Sequence, residues 1–129
     1  MLIDTHVALW LLDDSADLGP RARGTLLAAP ALHVSAASLW EIAIKSGLGK
    51  LAVPDDLPAR MEQAGLQWLP VTPSHVWASR SLTGLPHRDP FDLLLCAQAL
   101  EERLPLVTAD QALLAADLRP DVRRVDARA

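Results

Sequence analysis

His87-Arg88-Asp89-Pro90-Phe91-Asp92-Leu93-Leu94-Leu95-Cys96-Ala97-Gln98-Ala99-Leu100 joins a polar, acid-rich turn directly to an unbroken apolar run. Asp89 before Pro90 reads as an N-cap with proline at the first helical position, where the missing N–H costs nothing. Asp92 then falls in the first helical turn, where partial positive charge stabilises a carboxylate. Leu93 to Leu100 offers almost no polar face, which predicts a helix buried over most of its circumference. A buried helix with an acid at its mouth is a candidate site, and it directs attention to whatever other acids the fold brings opposite.

Outward from that helix, short apolar strands alternate with helical stretches. Leu2-Ile3 starts a strand, and Asp4-Thr5 turns it into a helix over His6 to Leu12. After Gly19-Pro20 a second helix runs from Arg21 to Ala29, and Leu32-His33-Val34 is a strand. Ser35 to Ser38 cap a helix through Leu39, Trp40, Glu41 and Lys45, which Gly47 and Gly49 stop. Pro54-Asp55-Asp56 opens a helix to about Ala64, Gln67 to Val71 reads as a strand, and Thr72-Pro73 starts a helix through Trp77. Beyond Glu102, Pro105 to Val107 is a strand, Gln111 to Ala116 a helix and Val122 to Val125 a last strand, with a loose tail expected after Asp126. This alternation predicts an α/β fold with a parallel sheet covered on both faces.

The 129 residues are expected to form a single domain spanning 1–129. Half are hydrophobic and 22% are charged, which argues for a folded chain and against disorder. The net charge of −4 excludes a protein that binds nucleic acid through bulk positive charge, so any such role needs a metal. The single cysteine, Cys96, falls in the apolar helix and reads as a small buried hydrophobe, consistent with a reducing compartment. Met1-Leu2-Ile3-Asp4 has no basic stretch of a signal peptide, and no apolar run reaches membrane-spanning length. The expectation is a soluble cytoplasmic protein without a membrane partner.

In open α/β sheets, ligands bind at the carboxyl ends of the strands. Asp4 and Asp110 follow the first and fourth strands, Asp92 heads the buried helix, and Glu41 lies one turn into the helix after the second strand. All four can converge on one edge. Carboxylates drawn together repel and call for a compensating cation, and an oxygen donor set without paired cysteines or His-x-x-x-His spacing selects Mg²⁺ or Mn²⁺ over zinc. Each acid also has a purely structural use. Asp4 and Asp110 suit N-caps, Glu41 suits an i,i+4 pair with Lys45, and Asp89 is first a cap.

In these residues the chain resembles the PIN-domain ribonucleases, in particular the VapC-type toxins of toxin–antitoxin pairs. The resemblance rests on Leu2-Ile3-Asp4-Thr5-His6 with Trp10 and on Val34-Ser35-Ala36-Ala37-Ser38-Leu39-Trp40-Glu41-Ile42-Ala43-Ile44-Lys45 with Gly49-Lys50-Leu51. It rests equally on His87-Arg88-Asp89-Pro90-Phe91-Asp92 and Val107-Thr108-Ala109-Asp110. It implies a three-layer α/β/α PIN-like domain with a central parallel sheet, and a Mg²⁺- or Mn²⁺-dependent endoribonuclease with catalytic acids Asp4, Glu41, Asp92 and Asp110. It also implies an antitoxin partner covering the site, and a homodimer. One departure is that Leu93 stands where similar proteins carry a basic residue.

On this reading Asp4, Asp92 and Asp110 hold the metal and Glu41 positions or deprotonates the attacking water. Asp89 is a possible extra member of the cluster, Thr5 and Thr108 are candidates for orienting ligands, and Lys45, Lys50 and Arg88 for taking RNA phosphates. His87 reads as a loop residue with an RNA contact as the alternative, and Trp10, Trp40, Trp68 and Trp77 as mostly core, with Trp10 and Trp40 candidates for a partner groove. The rivals are a PIN-fold interaction module without activity, a nuclease of other nucleic acids, and an aspartyl phosphotransferase. His6 stands where the last would need a second Asp, and no lysine follows Lys50.

Overall fold

The computed structural model describes residues 1–129, and its five short strands pair into one all-parallel sheet. The strands are β1 (Leu2–Ile3), β2 (Leu32–Ser35), β3 (Leu66–Leu69), β4 (Leu106–Thr108) and β5 (Arg124–Asp126), in the order β3-β2-β1-β4-β5. The register pairs Ile3 with Val34 on one side and with Val107 on the other. Helices α1 (Thr5–Leu12), α2 (Pro20–Ala28), α3 (Ala36–Gly47), α4 (Leu57–Gln63), α5 (Pro73–Ala78), α6 (Pro90–Glu102) and α7 (Gln111–Ala115) connect them. None is long and apolar enough to cross a membrane.

Successive strand residues face opposite sides of the sheet, so each side acquires its own core. Leu2 and Leu106 pack with Leu95, Cys96 and Ala99 of α6 and Leu113 of α7. Ile3, Val34 and Val107 pack on the other face with Val7 of α1, Leu26 of α2, Ile42 of α3 and Met61 of α4. With helices on both faces the architecture is a three-layer α/β/α sandwich, and burial on both sides explains why the strands read as short apolar runs.

Local chemistry sets the helix starts. Asp4, Ser35, Thr72, Asp89 and Asp110 each cap a helix with a side-chain oxygen on a backbone N–H. Pro20, Pro73 and Pro90 stand at the first turns of α2, α5 and α6. Gly65, at φ +87°, makes the turn from α4 into β3.

Several elements differ from their sequence expectation. α4 starts at Leu57, because Pro54 to Asp56 close a turn in which Leu57 N donates to Pro54 O. β3 runs from Leu66 to Leu69 and stops at Pro70, which has no N–H for the ladder. β5 begins at Arg124, and Val122 is spent in the core.

The tail expected to be loose is docked. Ala127 is fully buried, its N–H donates to Thr108 O at 2.8 Å, and its carbonyl accepts from Gly19 N at 2.9 Å. Ala129 O then accepts from Arg21 N and Ala22 N at the start of α2. A Cβ at Gly19 would collide with the backbone of Ala129, so this glycine admits the tail as well as breaking the chain.

The tryptophans are also less buried than their hydrophobicity suggests. Trp40 and Trp77 are 63% and 67% exposed, and Trp10 and Trp68 are half-buried. α3 buries Ala37, Ser38 and Ile42, which turns Trp40, Ile44 and Leu48 outward as one row. On α5 the Arg80 guanidinium covers Trp77, 4.3 Å from a ring centroid.

Candidate active site

The strand order reverses at β1, whose neighbours β2 and β4 lead away in opposite directions. At the carboxyl end of this switch point opens a cleft of about 360 Å³. Asp4, Glu41, Asp89, Asp92 and Asp110 all line it, together with His6, Trp10, Lys45, His87, Ala109 and Arg128. The four acids expected to converge therefore share one cleft, and Asp89 joins them. Lys45 lines it as well. Lys50 and Arg88 are exposed outside it, Arg88 on a neighbouring groove beside Leu82, Leu85 and Leu93.

Each acid is fixed by what its local structure requires. Asp4 is 8% exposed; one carboxylate oxygen accepts from Thr5 N at 2.7 Å and the other from the Thr108 hydroxyl at 2.7 Å. The same Thr108 oxygen accepts from Asp110 N at 3.2 Å, tying the ends of β1 and β4 together. Glu41 accepts from the Thr5 hydroxyl at 2.7 Å and from Lys45 Nζ at 2.9 Å, so both its oxygens are oriented. Asp89 caps α6 through Phe91 N at 2.9 Å, and Asp110 caps α7 through Leu113 N at 3.0 Å. Asp92 has no such cap bond; its partner is His87, whose Nδ1 is 3.4 Å from Asp92 Oδ2 and whose Nε2 is 3.1 Å from Asp110 Oδ2.

Crowding shows in the proton affinities. Burial, then repulsion from Asp4 and Asp89, pushes the Asp92 carboxyl up to about 7. Burial also raises Asp4, against the pull of its bonds to Thr108 and Thr5. At Asp110 burial pushes upward, but the Leu113 amide and His87 outweigh it and hold the carboxyl below its ordinary range. The hydrogen bond to Asp110 raises His87, and the Glu41 bond raises Lys45.

A cleft of this kind suits a hard divalent cation. Its donors are carboxylate oxygens with the imidazoles of His6 and His87, and ligand atoms of His87, Asp92 and Asp110 lie within 4.8 Å of one another. The raised affinity of Asp92 for a proton comes first from burial and then from the negative charge of Asp4 and Asp89 beside it, and a bound cation would offset both.

The PIN domain family model matches residues 1–118. The chain belongs to the PIN domain family. No curated protein matches it. Among solved structures, this PIN domain is similar to a chain in the crystal structure of VapBC2 from Rickettsia felis bound to a DNA fragment from their promoter. That likeness has 15% identity and a TM-score of 0.68, covering 97% of this chain and 96% of that one. It is also similar to a chain of a toxin–antitoxin complex from Klebsiella pneumoniae, with 19% identity and a TM-score of 0.58, covering 88% and 89%. At these identities the likeness is one of fold.

Two cleft residues escape a reading of the sequence. His87 looks like an ordinary loop residue; its signal is position, two residues ahead of the cap that aims α6 at the strand ends. Arg128 lies in the tail, and only the docking of Ala127 brings it to the cleft.

Proposed function

We propose that this PIN domain is a metal-dependent endoribonuclease and the toxin of a toxin–antitoxin pair. The observation that carries the reading is the convergence of Asp4, Glu41, Asp92 and Asp110 at the switch point of a PIN fold. Asp4, Asp92 and Asp110 would hold Mg²⁺ or Mn²⁺, which when bound lowers the pKa of water and offsets charge developing on the phosphate.

The protein's own residues set the geometry. Thr108 and the Thr5 amide fix the Asp4 carboxylate, and Thr5 and Lys45 fix both oxygens of Glu41, which orients the attacking water. Attack in line with the leaving oxygen breaks the P–O3′ bond and leaves a 5′-phosphate and a 3′-hydroxyl, with no covalent enzyme intermediate. The two similar structures come from toxin–antitoxin assemblies, which supports an antitoxin partner. The outward row Trp40, Ile44 and Leu48, with Phe91 edge-on to Trp40 at 5.5 Å, supports a homodimer, because soluble monomers seldom leave such a row uncovered.

The test is cleavage of a total bacterial RNA pool by the purified chain in Mg²⁺ or Mn²⁺ and in EDTA, beside Asp4→Asn and Asp92→Asn. Discrete metal-dependent products from the wild type alone, with both variants folded, are expected. A folded wild type that cuts nothing in either metal, or variants that cut equally well, would overturn the ribonuclease reading in favour of an interaction module.

A further inference from the structure

Lys45 and Arg128 are the two permanently charged cations lining the cleft, and they are differently engaged. Lys45 bonds Glu41 at 2.9 Å and belongs to the acidic cluster. Arg128 pairs with none of the cleft acids. Its one ion pair is with the exposed Asp17 at 3.7 Å, outside the cleft, and its guanidinium lies over Trp10, 4.9 Å from a ring centroid. A guanidinium held over an indole face by its charge makes no hydrogen bond to the ring, so its N–H groups stay available to an acceptor.

The backbone that carries Arg128 is held on both sides. Ala127 N donates to Thr108 O, Ala127 O accepts from Gly19 N, and Arg128 N donates to Asp126 Oδ1 at 2.9 Å. The side chain therefore projects from a fixed segment, and the entropy lost on gripping a ligand is smaller than for an arginine on a free tail. Trp10 shares this wall with His6, whose ring centroid is 6.5 Å away. The wall formed by α1 and the docked tail thus offers a planar cation, an indole and an imidazole beside a cleft in which five carboxylates gather. Such a wall suits the phosphate and base of a nucleotide.

We propose that Arg128 is a substrate-positioning residue: its guanidinium takes the phosphate adjoining the scissile one, and the nucleic-acid strand runs over Trp10 and His6. The proposal rests on the nuclease reading above. An arginine present only to neutralise the acids would be paired with them, as Lys45 is. One present only to pin the tail would be redundant with the four backbone hydrogen bonds that tie Ala127 and Ala129 to Thr108, Gly19, Arg21 and Ala22.

The experiment compares wild type, Arg128→Ala and Arg128→Lys in single-stranded RNA cleavage and in RNA binding by fluorescence anisotropy, each across a KCl series, with thermal melts alongside. Arg128→Ala is expected to raise KM about tenfold, as for loss of one charge-assisted hydrogen bond, with little change in kcat. It should also lower the slope of log affinity against log salt by about 0.7, as for one phosphate contact on a single strand. Arg128→Lys should restore the slope and recover KM in part, because the bidentate fork is lost while the charge is kept. An unchanged KM and slope, or a loss that follows a lowered melting temperature and is not recovered by lysine, would overturn the proposal with the nuclease reading intact. A wild type that binds RNA with the Arg128-dependent slope but never cuts would support the phosphate contact and remove the nuclease reading. A wild type that neither binds nor cuts would remove both.

Discussion

Helix α6 carries a histidine–carboxylate pair at each end, and the two pairs do opposite things. At its C-terminal end Glu102 meets His75 at 2.7 Å, and His75 is 1% exposed. His75 Nδ1 accepts from Thr72 N, which leaves Nε2 to donate to Glu102, so one neutral tautomer satisfies the whole arrangement and caps α5. At the N-terminal end His87 lies between Asp92 and Asp110 with 40% of its side chain exposed, and Asp4 and Asp89 add further negative charge. The first pair is one donor for one acceptor. The second is one imidazole among too many acids. The contrast shows that a histidine beside a carboxylate signals a site only when the carboxylate has neighbours that remain unbalanced.

The sharpest way to break this contrast is to neutralise acids at either end. Asp92→Asn or Asp4→Asn is expected to lower RNA cleavage by more than about 100-fold, the upper end of what losing a mere supporting partner of a metal ligand costs. Glu102→Gln should leave cleavage by the folded protein unchanged. Equal losses at both ends, measured in one RNA assay, would show that the acids of the cleft have no special standing.

Truncating the histidines should reverse the order. His75→Ala removes the bond to Glu102 and half of the α5 capping box, and leaves the Thr72 amide without its partner, so a loss of about 1–3 kcal/mol is expected in urea unfolding. His87→Ala should move the melting temperature less. Its larger effect is expected on the Mg²⁺ concentration for half-maximal activity, which should rise because an imidazole donor beside two proposed ligands has gone. A larger melting shift for His87→Ala than for His75→Ala would collapse the distinction.

Proton linkage gives a subtler separation. The folded-state pKa of Asp92, raised from 3.8 to about 7, makes a contribution to stability that is present below pH 3.8 and is lost as pH rises through about 7. Asp4 is raised and acts in the same direction, whereas the lowered Asp110 acts oppositely, at acid pH. In EDTA the melting temperature should therefore fall between about pH 5 and 8 by more in the wild type than in Asp92→Asn, and Mg²⁺ should recover more of it at pH 8 than at pH 6. Parallel melting curves for the two proteins would show that Asp92 is not held above its ordinary range.

The sequence makes some of this legible and hides the rest for physical reasons. Asp89-Pro90 announces α6 because cap and proline are local chemistry, and Asp4, Glu41 and Asp110 are placed by a topological rule that needs only strand ends. His87 stays hidden because its role depends on Asp110, 23 positions away, and nothing local distinguishes it from a loop residue. The tail is misread because alanines without a pattern give no sign of docking; what holds them is backbone bonding to Gly19, Arg21 and Thr108. Trp77 is misread, and Trp40 is read as exposed only in the alternative of a partner groove, because hydrophobicity does not say which helix face turns outward, and on α3 that face carries the largest side chain.

The sheet order has a consequence for the timing of synthesis. β1 leaves the ribosome first yet sits between β2 and β4, and the bond from Thr108 to Asp4 spans 104 positions. While the chain grows, Asp4 waits through the 104 positions to Thr108 without the hydroxyl that fixes it, and Asp110 and Arg128 emerge later still. Long-range parallel pairing of this kind forms late. The cleft is therefore assembled only once β4 and the segment carrying Arg128 have emerged, and a chain halted before them carries Asp4, Glu41 and Asp92 without the finished site.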